Sequence, residues 1–556
     1  MSIDKAAIER GASASLAGLV SGYVALALAE LVSAGVRPEA GPVTAVGGAA
    51  IDRTPAAVKD WAIRSFGTDD KLVLQLGILA VTALLATALG LLALRRRRTG
   101  AADVLLFGLV GAAAALNRPD SDGFADALPS LAGALAGALV LYALIGPLVA
   151  PARPEEAAPA PARPEEAAPA PARPEEAAPA PARPQEARAA ARPGWSRRRF
   201  LLLTGAAAAL GTGAGAAGRT LTSSRSGDAV ASRAAVVLPP PASPAPGLPP
   251  GTALRVPGIS PFTTPNKDFY RVDTALVVPR VPADTWRLRI HGKGVARELN
   301  LTFEELLARP LVERDITLTC VSNEVGGPYA GNARWLGARL GDLLAEAGVR
   351  PPSRGGPADQ LVARSVDGMT LGAPVEDVMD GRDALLAVGM NGEPLPLDHG
   401  FPVRMVVPGL YGYVSACKWI EDIELTTFDA YDPYWVRREW ARKAPVKTQA
   451  RIDTPKPFAR PAPGTVMVAG VAWAQHRGID RVEIQVDDGP WQETDLAAED
   501  TRDTWRQWSY SWQAAPGTHT LTVRATDRTG ETQTERRAPT VPDGATGRHS
   551  VVVMAG

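Results

Sequence analysis

At 556 residues the chain exceeds one compact core. Its 59 Lys and Arg balance 59 Asp and Glu, and a formal charge of zero gives no support for nucleic-acid binding. All five histidines and most tryptophans follow residue 280, whereas the first 220 residues are rich in Ala, Leu and Gly, so the composition separates a membrane half from a globular half.

Uncharged apolar runs at 73–94, 128–150 and 200–218 each approach the ~20 residues a helical span requires. Residues 16–36 form a run as long but carry Glu30, and 104–117 is short. The basic clusters Arg95 to Arg98 and Arg197 to Arg199 both belong in the cytoplasm by the positive-inside rule, so an even number of crossings lies between them. Residues 104–117 therefore cross with their partner, the N-terminus with Lys5 and Arg10 is cytoplasmic, and the first two runs make a hairpin. Residues 1–150 read as a four-span membrane region, and everything after Gly218 falls outside the cell membrane. Glu30 is either an intramembrane carboxylate facing a bundle interior or a group solvated at the interface. The spans contain no histidine, so this chain brings no haem ligands to them and a separate electron-transfer partner is expected.

A linker follows at 151–195, built on the repeat Pro-Ala-Arg-Pro-Glu-Glu-Ala-Ala-Pro-Ala starting at Pro151, Pro161 and Pro171. Regular proline with mixed charge favours an extended, solvated spacer. Residues 196–219, opening Ser196-Arg197-Arg198-Arg199-Phe200-Leu201, are either a fifth span with an ordinary basic flank or an internal segment resembling a twin-arginine export signal. Ala229-Val-Ala231 offers a cleavage site, and 220–259 reads as a Pro-rich tether.

In the globular half, Asp315-Ile-Thr-Leu-Thr alternates like a half-buried strand and Gly326-Gly327 marks a turn, so Cys320 lies at a strand end. A thiolate there is a soft metal ligand or a nucleophile, and a buried free cysteine is the bland alternative. Cys417 is the only other cysteine, and an even count in an exported protein invites a disulfide, which would remove the thiolate.

Several further motifs follow in order. They are Cys320-Val-Ser-Asn323, Gly331-Asn332-Ala333-Arg334-Trp335-Leu-Gly337, Met390-Asn391-Gly392-Glu393-Pro394-Leu395-Pro396, Asp398-His399-Gly400-Phe401-Pro402-Val403-Arg404 and Val407-Pro408-Gly409. Together, from about Asn266 to the C-terminus, they resemble the sulfite oxidase family of molybdopterin enzymes. The resemblance implies one molybdopterin per chain, with Cys320 as the protein's ligand to molybdenum. Asn266, Phe269, Tyr270 and Arg271 would meet the cofactor, Arg271 also serving the pterin or a substrate anion as a catalytic residue. His399 and Arg404 would hold the pterin and its phosphate, while Ser415, Ala416 and Lys418 would close over it. Asn323 and Asp367 are further candidate contacts. Sulfite-oxidising relatives carry Ala-Gly-Asn-Arg-Arg after the ligand cysteine, whereas this chain has Val321-Ser322-Asn323-Glu324-Val325. That change removes positive charge and predicts a neutral sulfoxide or similar substrate ahead of sulfite.

Residues 260–443 mix helical stretches, such as 303–307 and 340–347, with strands and fit an α+β class. After 444 short alternating strands separated by turn residues predict an all-β sandwich, which the resemblance makes an immunoglobulin-like dimerisation domain of a homodimer. Trp473, Trp491 and Trp505 are expected as core or interface anchors. Two functions compete: a membrane-anchored, extracytoplasmic molybdopterin oxidoreductase acting on a small molecule, and an exported non-catalytic binding or structural module on the same fold.

Overall fold

The structure is a computed structural model that describes residues 5–55, 58, 61, 65–66, 70–121, 123–149 and 197–556. The repeat linker at 151–195 and Ser196 lie outside the described residues. The chain divides into two compact units, one of Met1–Val43, Leu74–Ala115 and Phe124–Arg219, the other of Thr44–Val73, Leu116–Gly123 and Thr220–Gly556.

Helices account for the first unit. Those described in the N-terminal part are α1 (Lys5–Gly35), α2 (Pro42–Arg53), α3 (Asp70–Arg95), α4 (Arg97–Leu116), α5 (Leu128–Val149) and α6 (Arg197–Ala235). Five stretches among the described residues are long and apolar enough to cross a membrane by length and composition: Ala7–Gly35, Lys71–Arg95, Arg97–Leu116, Phe124–Val149 and Arg198–Ala235. The short run at 104–117 thus belongs to a helix of 20 residues. Small residues let these helices approach closely. A Cβ added to Gly18 would lie 2.0 Å from the Ala86 carbonyl oxygen, and one added to Gly90 would lie 2.1 Å from that of Ala14. Ser21 Oγ donates across to the Gly137 carbonyl at 2.7 Å. Glu30 has an exposed side chain rather than one facing the interior of this unit.

The second unit is sheet-rich. Its α+β part contains β1 (Arg287–Gly292), β2 (Leu299–Thr302), β3 (Leu311–Thr319), β4 (Ala330–Arg339), β5 (Gln360–Ser365), β6 (Thr370–Pro374), β7 (Leu385–Met390), β8 (Glu393–Pro394), β9 (Arg404–Val406) and β10 (Ile420–Thr426). One sheet runs β2-β1-β10-β5-β6, the other β3-β4-β7-β8 with β9 on β7. Their apolar faces, with Ile290, Ile316, Ala363, Leu386 and Ile423, fill one core. Short helices edge the sheets at α7 (Phe303–Leu307), α8 (Leu340–Glu346), α9 (Val375–Met379) and α10 (Gly412–Ser415). A capping box starts α7: Glu305 N–H donates to Thr302 Oγ1 at 3.1 Å and the Glu305 carboxylate accepts from Thr302 N–H at 2.8 Å.

The C-terminal part is all-β. It comprises β11 (Gln449–Thr454), β12 (Gly464–Trp473), β13 (Ile479–Val486), β14 (Gln492–Glu493), β15 (Asp495–Leu496), β16 (Arg506–Ala514), β17 (Gly517–Asp527) and β18 (His549–Ala555). Two four-stranded sheets, β11-β12-β16-β15 and β14-β13-β17-β18, close on Val468, Val482, Ile484, Trp508, Trp512 and Val523 as a sandwich. Trp473 and Trp505 instead join the core of the α+β part, and Trp491 packs beneath the Arg524 and Arg548 guanidinium groups, 4.2 and 5.0 Å from its ring centre.

Past Gly218 the chain is not a free tether. Helix α6 runs on to Ala235, with Ala229 fully buried. Arg233 then donates from Nε to the Leu395 carbonyl at 2.8 Å and from a terminal nitrogen to Pro394 at 2.7 Å. Ala242 N–H donates to the Leu311 carbonyl at 2.8 Å, so the stretch is bound at the start of β3.

Candidate active site

Cys320 directly follows β3, as the alternation predicts, and is buried with a free thiol. Its N–H donates to the Tyr329 carbonyl at 2.9 Å, and Asn323 N–H donates back to the Cys320 carbonyl at 3.1 Å. Asn323 Oδ1 accepts from Tyr329 N–H at 2.8 Å, which shapes the loop holding the thiol. Burial pushes the thiol above its ordinary value, while hydrogen bonds from Ser322 and the charge of Lys418 pull the other way. Cys417 is also free and buried, so the two cysteines are not joined.

The entry segment supplies aromatic walls. Phe269 stacks on Tyr270 at 5.1 Å and meets Trp335 and His399 edge-on at 5.9 and 5.6 Å. Gly331 has no room for a side chain here, because a Cβ would lie 2.8 Å from the Phe269 ring. Burial and the neighbouring Cys320 hold the Tyr270 phenol far above its usual range, so it stays a neutral donor.

His399 is buried, and its Nε2 lies 3.1 Å from the Asn266 carbonyl. Burial and the cations Arg404 and Lys418 lower it to about 4, so the ring is neutral at pH 7, donates through Nε2 and leaves Nδ1 as an acceptor. Asn266 donates to Met390 O at 3.2 Å and to Glu393 at 2.6 Å, and accepts from Asn391 at 2.8 Å. These bonds fix the segment that precedes the aromatic walls.

Three cations converge. Arg404, at the start of β9, is 5% exposed and donates to the His399 carbonyl at 3.2 Å. Its guanidinium carbon lies 5.0 Å above the Trp335 ring, and its Nε has no hydrogen-bond partner among the described residues. Burial lowers it to about 10. Lys418 donates to Asp273 at 2.7 Å and to the Asp398 carbonyl at 3.2 Å, and burial lowers it to about 8 despite the opposing Asp273 charge. Arg271 Nε donates to the same Asp273 carboxylate at 3.0 Å. Gly400, at φ +107°, brings the backbone against Lys418 and Arg404, with 3.1 Å left for a Cβ.

Asp273 is therefore the hub of the site, and the sequence reading missed it. Burial opposes its ionisation, but Lys418, Lys71 and Arg271 outweigh burial and leave the carboxyl well below the usual range. No local signal pointed to it, because residues 271–273 belong to no strand or helix and Lys71 lies 202 positions away. Three expected contacts, Ser415, Ala416 and Asp367, have other occupations. Ser415 donates its hydroxyl to the Leu410 and Tyr411 carbonyls at 3.0 Å each, and Ala416 ends α10 by donating its N–H to Gly412. Asp367 accepts from Met369 N–H at 3.2 Å, with burial raising its carboxyl. Glu324 is exposed, so solvent screens its charge, while Arg271, Lys418 and Arg404 stand at the site. The charge missing from the 321–325 stretch is thus accompanied by these three cations, Arg271 among them as expected.

The residues fit an anionic molybdopterin. Arg404 is a buried cation with an unsatisfied nitrogen, a costly state that an anionic ligand relieves. No group of three or more His, Cys, Asp or Glu side chains placed to hold a metal ion occurs among the described residues.

Comparison with known proteins agrees. The family described as "Oxidoreductase molybdopterin binding domain" matches residues 275–435, and "Bacterial Ig domain" matches 449–523. Mitochondrial sulfite oxidase of Rattus norvegicus is 32% identical over 288 residues, covering 44% of this chain and 52% of that protein. Sulfite oxidase of Gallus gallus is 31% identical over 324 residues, covering 50% and 69%. The solved sulfane dehydrogenase SoxCD from Paracoccus pantotrophus is 24% identical, with a TM-score of 0.46, covering 56% of this chain and 86% of that one. The chain spans about half the length of the mammalian relatives it matches, 52% to 58%.

Proposed function

The chain belongs to the sulfite oxidase family of molybdopterin oxidoreductases, and from that premise we propose that it is a membrane-anchored, extracytoplasmic enzyme transferring an oxygen atom at a Cys320-ligated molybdenum. The observation that carries this reading is the pairing of one buried free thiol at the end of β3 with the partly unsatisfied, buried cation Arg404. A non-catalytic module gains nothing from that arrangement, since a buried arginine with an unsatisfied nitrogen destabilises a fold that never fills the site.

Bound molybdenum would supply the two-electron oxidation and reduction that no side chain here provides. Cys320 would give its thiolate to the metal, and the hydrogen bonds around Asn323 hold the loop in place. Arg404 would hold the anionic part of the cofactor, with the His399 Nδ1 as an acceptor and the Tyr270 phenol as a donor beside it. Phe269, Trp335 and Tyr329 keep water from that side. Arg271 and Lys418 face a small substrate, either an oxyanion such as sulfite or a neutral sulfoxide or N-oxide. The anchored, exported placement rests on the five apolar helices and on the charge rule for Arg95 to Arg98 and Arg197 to Arg199.

The test is steady-state kinetics of the full-length protein with sulfite, sulfoxides and N-oxides, using artificial electron donors and acceptors. Wild type should turn over one of these classes, and Cys320→Ser should lose turnover by ~100-fold or more while keeping its fold, because a hydroxyl replaces a soft thiolate ligand. Wild-type rates in metal-loaded Cys320→Ser would overturn the assignment.

A further inference from the structure

The active-site hub receives a cation from a distant part of the sequence. Lys71, in the first turn of α3, lies 202 positions before Asp273, and its ammonium bonds the Asp273 carboxylate. The same ammonium donates to the Ala275 carbonyl at 2.7 Å, so it grips both a side chain and the backbone of the 271–275 segment. Asp273 has only 6% of its side chain exposed and shares its carboxylate with Arg271 and Lys418 as well.

We propose that Lys71 is a positioning residue of the active site, which by sharing Asp273 keeps Arg271 and Lys418 turned towards a small oxyanion. A carboxylate left to two cations draws both more tightly; a third partner divides its pull and adds positive charge beside the pocket. This proposal rests on the reading of Arg271 and Lys418 as the anion-facing pair.

Lys71 shares a compact unit with the catalytic residues. Residues Thr44–Val73 and Leu116–Gly123, which adjoin apolar helices, are part of the same compact unit as the catalytic residues. Asp52 accepts from the Tyr434 hydroxyl and pairs with Arg438 at 3.0 Å. At Gly368 a Cβ would lie 2.3 Å from Asp120 N, so the 118–120 loop sits against the turn that carries Asp367. Segments that read as mere connections between spans thus pack within the oxidoreductase unit itself.

Sulfate binding to the full-length chain in detergent, read by titration calorimetry, tests the proposal. Lys71→Met should weaken sulfate about three- to tenfold, Lys71→Arg should restore it, and Lys456→Met, at an exposed lysine of the C-terminal part, should leave it unchanged. In a lysine acetylation footprint Lys71 should react more slowly than Lys456, and Asp273→Asn should remove that protection. Sulfate affinity in Lys71→Met equal to wild type, no sulfate binding by wild type, or a loss that Lys71→Arg fails to restore would each overturn the proposal. Molybdenum content of the same samples reports separately on the proposed function, so a metal-free chain showing the Lys71 pattern would fail that reading and keep this one.

Discussion

Single ionisable groups set how the site responds to pH. Lys418, lowered to about 8 by burial and by Arg404 and Arg271 against the opposing pull of Asp273, loses its charge as pH rises through that value. Activity that depends on the charge should therefore fall above about pH 8. Lys418→Arg, which stays cationic, should lose this alkaline limb in a kcat/KM profile, and an unchanged limb would assign it to another group. His399 works in the opposite range. Its folded value of about 4 lies below the unfolded 6.5, so the unfolded chain binds more protons between the two. Its contribution to stability is complete above 6.5 and disappears as pH falls towards 4, at roughly 1.4 kcal/mol per unit of difference. Chemical denaturation at pH 7 and pH 5 should show this loss, and His399→Asn should reduce it.

Strands and loops that hold these residues were legible where their signals are local. Alternation marked β3, the helical stretch at 303–307 is α7, and the short strands of 465–469, 482–486, 508–512 and 519–523 fall within β12, β13, β16 and β17. Asp273 escaped because an extended segment without period gives no sign of its partners, and Lys71 because it reads as a flanking charge of an apolar run. The full length of α6 was not legible for a related reason. Apolarity stops near Gly218, but the helix continues through polar residues to Ala235. The link between the sandwich and the thiol loop was equally silent in sequence. Gln475 Nε2 donates to the Thr317 carbonyl at 3.1 Å and to Thr319 Oγ1 at 2.9 Å, while Trp505 N–H donates to Thr317 Oγ1 at 2.7 Å. The C-terminal part thus braces the strand that ends at Cys320. Trp505→Ala should cost about 3–5 kcal/mol in denaturant and make Cys320 react faster with a small thiol reagent. Lost stability with Cys320 protection unchanged would show that the brace does not reach the thiol.

Along the whole chain, an apolar helical unit and an oxidoreductase unit share stretches of sequence, and helix α6 runs from residues of the first into residues of the second. Ala229, in the candidate cleavage site, is buried within α6, and Arg233 is bound to the 394–395 backbone, so a folded chain offers no extended segment there for a peptidase. Immunoblots of membranes should show the full-length chain, and a mature form beginning after Ala231 would contradict this. Replacing Arg197 and Arg198 with Lys keeps the charge but should strand the oxidoreductase unit in the cytoplasm if the pair is read as an export signal. Unchanged export would reduce the pair to flanking charges. Cys320, Arg404, His399 and Lys418 are proposed to enclose a molybdenum cofactor, and every catalytic role above depends on it. Metal and pterin analysis of the purified full-length chain tests this most directly. The account predicts about one molybdenum per chain, with a pterin, because one thiolate serves each site. A correctly folded chain from a cofactor-competent host that contains neither molybdenum nor pterin would contradict it.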